Sequence, residues 1–298
     1  MNYIDKNDFG KIRLNELKKL IKKVFPKKFN LKKILLVAPP ETESSMFDYN
    51  IAKRGRANNY PPYGLAVVAT NLRRKGYIVD IINLNHEVLQ KVFDTSEDEF
   101  DFTKAWNDAV KNKIRAFQPD LIGVGCLFSV SDKVFKEIFD FIKKYFQNIP
   151  LMIGGVHVSH DVYGVLGRMD SPDFAILFEA DIALPLFLDI IKGKNKIEEI
   201  GQFAFKNKKS EIFVFEKRLI PDTEIMDLRP AFDLIDISNH SKYGTLGSWH
   251  GSLKEDKIIS TVQSNRGCRA ACTFCNVRTY HGKTVRHKSI GAVVDELL

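Results

Sequence analysis

Three cysteines near the end of the chain have the spacing of metal ligands. Cys268, Cys272 and Cys275 lie close together, whereas the fourth cysteine, Cys126, stands alone in an apolar stretch. In a chain without a secretory signal, clustered cysteines indicate metal binding rather than disulfides. Three thiolates at these spacings can hold one face of a 4Fe–4S cluster and leave one iron without a protein ligand. An open metal position of this kind is where a bound molecule can react.

A zinc site is the alternative for the same cysteines. His281 or His287 could complete a set of three cysteines and one histidine, which is a common zinc set. Structural zinc ligands usually come as two separated pairs, and this loop has no such pairs. The loop also follows an apolar strand predicted over 257–262, and Ser289 can cap a helix soon after it. The position and the spacing therefore favour the cluster.

The preceding chain alternates strands and helices in the order that a parallel sheet requires. The predicted strands cover 33–38, 77–84, 120–126, 151–153 and 173–178. The predicted helices cover 64–75, 102–117, 132–146, 162–168 and 182–192. This order predicts an α/β fold with a doubly wound, flavodoxin-like, five-stranded parallel sheet.

Several polar residues and glycines follow the predicted strands. Ligands of doubly wound sheets bind beyond the carboxyl ends of the strands. The residues at these ends include Ser129, Gly154, Gly155, His157 and Glu179. Paired glycines after a strand also serve simple turns, so these residues indicate a site without identifying its ligand.

The composition and the pattern of predicted strands and helices divide the chain into four segments. They are a basic arm at 1–30, the α/β domain at 31–195, a hairpin and linker at 196–256, and the start of a second domain at 257–298. The formal net charge is +8, and residues 1–33 hold the whole excess. A basic arm could contact RNA or an anionic membrane surface, but its apolar spacing is typical of a solvated amphipathic helix. We therefore expect a cytoplasmic protein without a transmembrane segment and without a nucleic-acid partner.

The cysteine loop resembles the signature of a known superfamily. The run Arg266-Gly267-Cys268-x3-Cys272-x-Phe274-Cys275 is similar to that of radical S-adenosylmethionine (SAM) enzymes. In that family the loop follows the first strand of a partial TIM-type barrel, and the open iron binds SAM. An external low-potential electron donor, flavodoxin or ferredoxin, then allows cleavage of SAM to a 5′-deoxyadenosyl radical. The resemblance implies that Phe274 contacts SAM; Arg269, where relatives commonly have proline, removes no ligand.

The α/β domain resembles the cobalamin-binding domain of cobalamin-dependent radical SAM enzymes. The runs that carry this resemblance are Pro61-Pro62-Tyr63-Gly64-Leu65-Ala66 and Gly154-Gly155-Val156-His157-Val158-Ser159. It implies cobalamin contacts at Ser129, Gly154, Gly155, His157 and Glu179, with the glycine pair against the nucleotide tail. The Asp-x-His-x-x-Gly motif that gives cobalt a lower histidine is missing, and 39–45 contains no histidine. Many radical SAM relatives hold cobalamin without that ligand.

The resemblance implies a reaction class. Methyl transfer from methylcobalamin to a small-molecule or lipid-like substrate is the predicted reaction, with radical cyclisation or rearrangement as an alternative. A non-catalytic cobalamin-binding or metal-binding module is the alternative from another class, and an RNA-modifying enzyme is a third. A partial barrel needs roughly 200 residues, and only 23 follow Cys275. We therefore expect little or no turnover from this chain by itself.

Overall fold

The computed structural model describes residues 6–26, 29–247 and 261–298. The strand predicted over 257–262 lies outside these ranges except for its last two positions, which are not in a strand. The other predicted strands and helices lie within the described residues.

Seven strands form the main sheet, in the order β2-β1-β3-β4-β5-β6-β7. The strands are β1 (Lys33–Ala38), β2 (Ile78–Asn83), β3 (Leu121–Gly125), β4 (Leu151–Gly154), β5 (Phe174–Ile176), β6 (Phe203–Lys206) and β7 (Ile212–Phe215). Strands β1 to β5 pair in parallel, as predicted, whereas β6 and β7 pair antiparallel. The sequence placed the hairpin of β6 and β7 in the linker. The hairpin extends the sheet instead, because Phe203, Phe205 and Phe213 are apolar side chains that become buried there.

Helices cover both faces of the sheet. They are α1 (Lys6–Val24), α2 (Tyr49–Lys53), α3 (Tyr63–Arg74), α4 (Leu84–Asp94), α5 (Phe102–Phe117), α6 (Asp132–Tyr145), α7 (Val156–His160), α8 (Val162–Arg168), α9 (Ala180–Ile191), α10 (Thr223–Met226) and α11 (Ile237–Tyr243). Apolar side chains of α5, α6 and α8 pack in one core, and those of α1, α3 and α9 pack in a second core. Two cores separated by one sheet confirm the doubly wound α/β fold.

Helix α1 contains most of the basic arm and packs on the hairpin end of the sheet. Leu17 is fully buried in the core that β6 also enters. Arg13 donates a hydrogen bond from Nη1 to the backbone oxygen of Val214 in β7, at 2.8 Å. The amphipathic helix predicted for this arm is therefore confirmed.

Helix α4 was not predicted. The predicted second strand extends to Leu84, but the observed strand ends at Asn83 and the chain turns into a helix there. The side-chain oxygen of Asn83 accepts from the backbone N–H groups of Asn85 and His86, which caps the helix. An asparagine at the end of an apolar run was the signal for this helix start.

Gly155 closes the turn between β4 and α7. Its φ is +98°, and a Cβ there would lie 2.3 Å from the backbone oxygen of Cys126. That oxygen also accepts from the N–H of His157, so the contact joins the ends of β3 and β4. Only glycine fits this position.

Alanine at Gly155 is expected to lower the free energy of unfolding by about 2–4 kcal/mol, from backbone strain and overpacking. Urea denaturation followed by circular dichroism measures the change. Gly167→Ala in α8 is the matched control, because a Cβ there meets nothing within 4 Å. Equal stability of the two variants would contradict the expectation.

A small module follows the linker. Strands β8 (Asn265–Arg266) and β9 (Arg286–His287) pair antiparallel around the cysteine loop, with α12 (Val277–His281) between them and α13 (Ile290–Leu297) after them. Ser289 caps α13 by accepting from the N–H of Ala292, as predicted. Across the described ranges, no helix has the length and apolar character needed to cross a membrane.

Candidate functional site

A cavity of about 510 Å³ opens at the carboxyl ends of the parallel strands. The loops after β1, β3, β4 and β5 line it, together with the first turns of α3. The module of the cysteine loop lines it as well, through 261–263, Arg266, Tyr280 and His281. Its volume is typical of cofactor pockets, and it lies where ligands of doubly wound sheets bind.

The residues predicted to contact cobalamin fall into two groups. Gly154, Gly155 and Glu179 line the cavity, whereas Ser129 and His157 do not. His157 is 7% exposed. Its Nδ1 lies 3.1 Å from Ser129 Oγ and its Nε2 lies 2.7 Å from Asp132 Oδ1. Both ring nitrogens therefore have protein partners; cobalamin contacts at these five residues stay a prediction.

Glu179 joins the strand ends to the cysteine module. Its carboxylate accepts from Arg286 Nη1 at 3.0 Å and pairs with His281 Nδ1, and the side chain is only 5% exposed. Burial acts to raise the pKa of Glu179, but the hydrogen bonds from His281 and Arg286 and the charge of Arg266 lower it to about 2. Glu179 is therefore ionised at neutral pH, and its charge is balanced from the cysteine module.

Arg266 makes a second connection at the same place. Its Nη1 lies 3.0 Å from both carboxylate oxygens of Asp181 and 3.6 Å from Glu179 Oε2. Arg266 precedes the cysteine loop in β8, whereas Asp181 lies in the first turn of α9. The side chains of Arg266 and Asp181 are almost fully buried, so this pair fixes the module on the end of β5.

Tyr280 and Arg218 complete the contact between the two parts. Tyr280 donates from its hydroxyl to the backbone oxygen of Phe178 at 2.8 Å, and burial raises the pKa of this hydroxyl. The guanidinium of Arg218 lies 3.8 Å from the centroid of the Phe178 ring and donates to the backbone oxygen of Thr279. The end of β5 is therefore held by hydrogen bonds, ion pairs and a cation–π contact.

The three cysteines of the loop lie between β8 and α12. Cys268 and Cys275 are half-buried, Cys272 is exposed, and none forms a disulfide. In the described part of the chain, no three histidine, cysteine or acidic side chains converge as metal ligands. Three cysteines in one short loop are of the residue type that binds iron–sulfur clusters. Phe274, the predicted SAM contact, is 89% exposed.

Within the described residues, His281 and His287 do not converge with the cysteines as a group of metal ligands, which the zinc alternative requires. His281 Nδ1 is engaged by Glu179, and His287 lies on β9 with an exposed side chain. Gly267 shapes the loop, because its φ is +91° and a Cβ there would lie 2.0 Å from the backbone oxygen of Thr284. The iron–sulfur ligands stay a prediction.

The ion pairs between the domain and the module were missed by sequence reasoning. Arg266 and Asp181 are 85 positions apart, and Arg286 and Glu179 are 107 apart. Spacing rules act within one element and do not reach such distances. Glu41, which also lines the cavity, was missed as well; its place directly after the first strand was the available signal.

Comparison with known proteins shows what the larger domain is similar to. Residues 50–188 match the family model of the B12 binding domain. Two solved structures share the fold. The cobalamin-dependent SAM radical enzyme OxsB, with aqua-cobalamin and SAM bound, has a TM-score of 0.64 and 17% identity, over 96% of this chain and 36% of that chain. The radical SAM methyltransferase TsrM from Kitasatospora setae has a TM-score of 0.56 and 15% identity, over 89% and 44%.

Curated relatives extend the similarity to both parts of the chain. A cytidylyl-2-hydroxyethylphosphonate methyltransferase from Streptomyces wedmorensis is 23% identical over 293 residues, covering 92% of this chain and 53% of the relative. An uncharacterized methyltransferase from Pyrococcus horikoshii is 23% identical over 265 residues, covering 89% and 50%. The chain spans about half the length of these relatives. The comparisons confirm the predicted resemblance to radical SAM proteins with a cobalamin-binding domain.

Proposed function

We propose that this chain binds cobalamin in the cavity, a 4Fe–4S cluster at Cys268, Cys272 and Cys275, and SAM at the open iron. The observation that carries the proposal is the shared lining of the cavity. Both the strand ends of the B12-binding domain and the module of the cysteine loop contribute to its wall. A molecule bound there touches the two parts at once, as a reaction that uses both cofactors requires.

The cavity wall suits a large flat cofactor. Gly125, Gly154 and Gly155 present backbone without side chains at the ends of β3 and β4. Bare backbone allows close approach of a ligand, which is one of the uses of glycine at binding sites. His157 has both ring nitrogens engaged, so cobalamin would bind here without a lower ligand from this histidine.

The residues of this chain have positioning roles in the proposed reaction. When bound, cobalamin would supply a transferable methyl group and the cluster would supply the electron that cleaves SAM. Arg266 and Arg286 hold the cysteine loop at the cavity by pairing with Glu179 and Asp181. Because these pairs are buried, they fix the separation of the two cofactor sites.

For the whole protein we propose methyl transfer to a small-molecule or lipid-like substrate, with a flavodoxin or ferredoxin as electron donor. Two relatives of this chain and one structural neighbour are named methyltransferases, which supports transfer over cyclisation or rearrangement. Acid-labile sulfide in the purified protein separates this function from that of a zinc-binding module.

Cobalamin binding is tested by anaerobic incubation with hydroxocobalamin, gel filtration and a visible absorption spectrum. We expect near-stoichiometric corrinoid with the wild-type protein. Gly64→Trp should reduce it strongly, because Gly64 lines the cavity and a Cβ there meets nothing within 4 Å. Gly167→Trp is the matched control, since Gly167 has the same free space but lies outside the cavity lining. Folded wild-type protein that elutes without corrinoid would refute the proposed cofactor.

A further inference from the structure

Glu41 is an acidic residue of the cavity wall that the proposed function does not yet use. It follows Pro39 and Pro40 at the carboxyl end of β1. Its backbone N–H donates to Asn85 Oδ1 at 3.1 Å, which fixes this part of the loop. Its carboxyl group accepts one long hydrogen bond, from the backbone N–H of Tyr60 at 3.4 Å.

Glu41 differs from the other carboxylates of the cavity. Glu179 and Asp181 pair with arginine side chains. Within the described ranges, Glu41 forms no ion pair with a lysine, arginine or histidine. Burial raises the pKa of Glu41 to about 7, and the N–H of Tyr60 offsets this only in part. Near neutral pH the group is therefore present in both forms and can donate or accept a hydrogen bond.

A half-buried carboxyl group with one weak protein partner is costly to the fold. Buried polar groups in proteins normally have hydrogen-bond partners, from the protein, from water or from a ligand. Since Glu41 faces the cavity, a ligand there can supply the missing partner. A partner that offers both a donor and an acceptor matches both forms of the carboxyl group, and a primary amide offers both.

We propose that Glu41 binds a primary amide on the rim of the corrin ring, and this proposal rests on cobalamin as the ligand of the cavity. Strand β3 lies between β1 and β4, so the ends of β1 and β4 are roughly 10 Å apart. The glycine pair at the end of β4 is the predicted place of the nucleotide tail. Glu41, at the other side of β3, therefore contacts the ring, whose rim carries amide side chains.

The test compares Glu41→Leu, Glu41→Gln and Glu43→Leu in anaerobic titrations with hydroxocobalamin and with cobinamide, which lacks the nucleotide tail. Glu41→Leu is expected to weaken binding of both ligands roughly tenfold, the value of one hydrogen bond to an ionisable group. Glu41→Gln should bind nearly as tightly as wild type, because its amide also donates and accepts. Glu43→Leu is the matched control, since Glu43 lies two residues further along and outside the cavity lining. The thermal midpoint of ligand-free Glu41→Leu should equal or exceed that of wild type.

Three outcomes would overturn the assignment. Wild-type affinity in Glu41→Leu would show that the carboxyl group contacts no ligand. Equal weakening in Glu41→Leu and Glu41→Gln would show recognition of charge rather than of an amide. A loss of affinity for hydroxocobalamin without a loss of affinity for cobinamide would show that Glu41 contacts the nucleotide tail and not the ring. If wild type binds neither corrinoid, the proposed cofactor itself fails, which is a result distinct from these three.

Discussion

Replacing Arg266 with methionine is expected to lower the free energy of unfolding by about 3–5 kcal/mol, as for removal of one partner from a buried ion pair. Arg266 is 6% exposed and contacts two buried carboxylates, Asp181 at 3.0 Å and Glu179 at 3.6 Å. Methionine keeps much of the apolar volume but supplies no charge. Asp181 then stays buried without its arginine, while Glu179 retains Arg286 and His281.

Urea denaturation at pH 7 measures this loss, and hydrogen exchange locates it. We expect faster exchange in the cysteine module, 261–298, than in the α/β domain. Arg73→Met is the matched control, because Arg73 pairs with Asp233 at 2.8 Å on an exposed surface, where a pair contributes about 0–1 kcal/mol. Adding Asp181→Asn to Arg266→Met should recover part of the stability, since it removes the uncompensated charge. Equal stability of Arg266→Met and Arg73→Met would contradict the role given to Arg266.

Replacing Gly267 with alanine is expected to remove most of the iron from the anaerobically reconstituted protein. Wild type should hold about four irons per chain, if the cysteines bind a 4Fe–4S cluster as proposed. A Cβ at Gly267 would meet the backbone oxygen of Thr284 at 2.0 Å, and its φ of +91° disfavours any side chain. The hairpin of β8 and β9 must shift to admit the methyl group, and this shift displaces Cys268 directly after it.

Iron and acid-labile sulfide analysis measures the loss, and corrinoid binding provides an internal reference. Corrinoid binding should be retained in large part, because most of the cavity wall belongs to the α/β domain. Gly291→Ala in α13 is the control, since a Cβ there meets nothing within 4 Å. Full iron content in Gly267→Ala would show that the loop tolerates the shift and that cluster binding does not require glycine at this position.

The sequence predicted the parts of the fold that depend on local pattern. The apolar stripe of α6 includes Val134, Ile138 and Ile142, which are all fully buried, and the helix was predicted to within one residue. Helix α5 was predicted with its observed bounds. The hairpin of β6 and β7 was found as a hairpin, but its place in the sheet depends on contacts with β5 that no local pattern encodes.

The candidate site was predicted less completely for the same reason. Gly154, Gly155 and Glu179 were found because residues after parallel strands converge at one edge of a sheet. Glu179 was predicted to contact cobalamin. In the structure its carboxylate pairs with Arg286 and His281, which are distant in sequence. Charge pairing over such separations depends on how the module docks, and only the three-dimensional structure reveals it.

The hydrogen bond from Arg13 to Val214 has a consequence for self-association. Among the described residues, β7 is the last strand of the sheet, and an unpaired edge strand can template the addition of a strand from another molecule. The guanidinium of Arg13 donates to a backbone carbonyl group that such an incoming strand would need as a hydrogen-bond acceptor. It also lies 5.7 Å from the centroid of the Phe215 ring. The basic helix α1 thereby protects this edge against intermolecular β-aggregation.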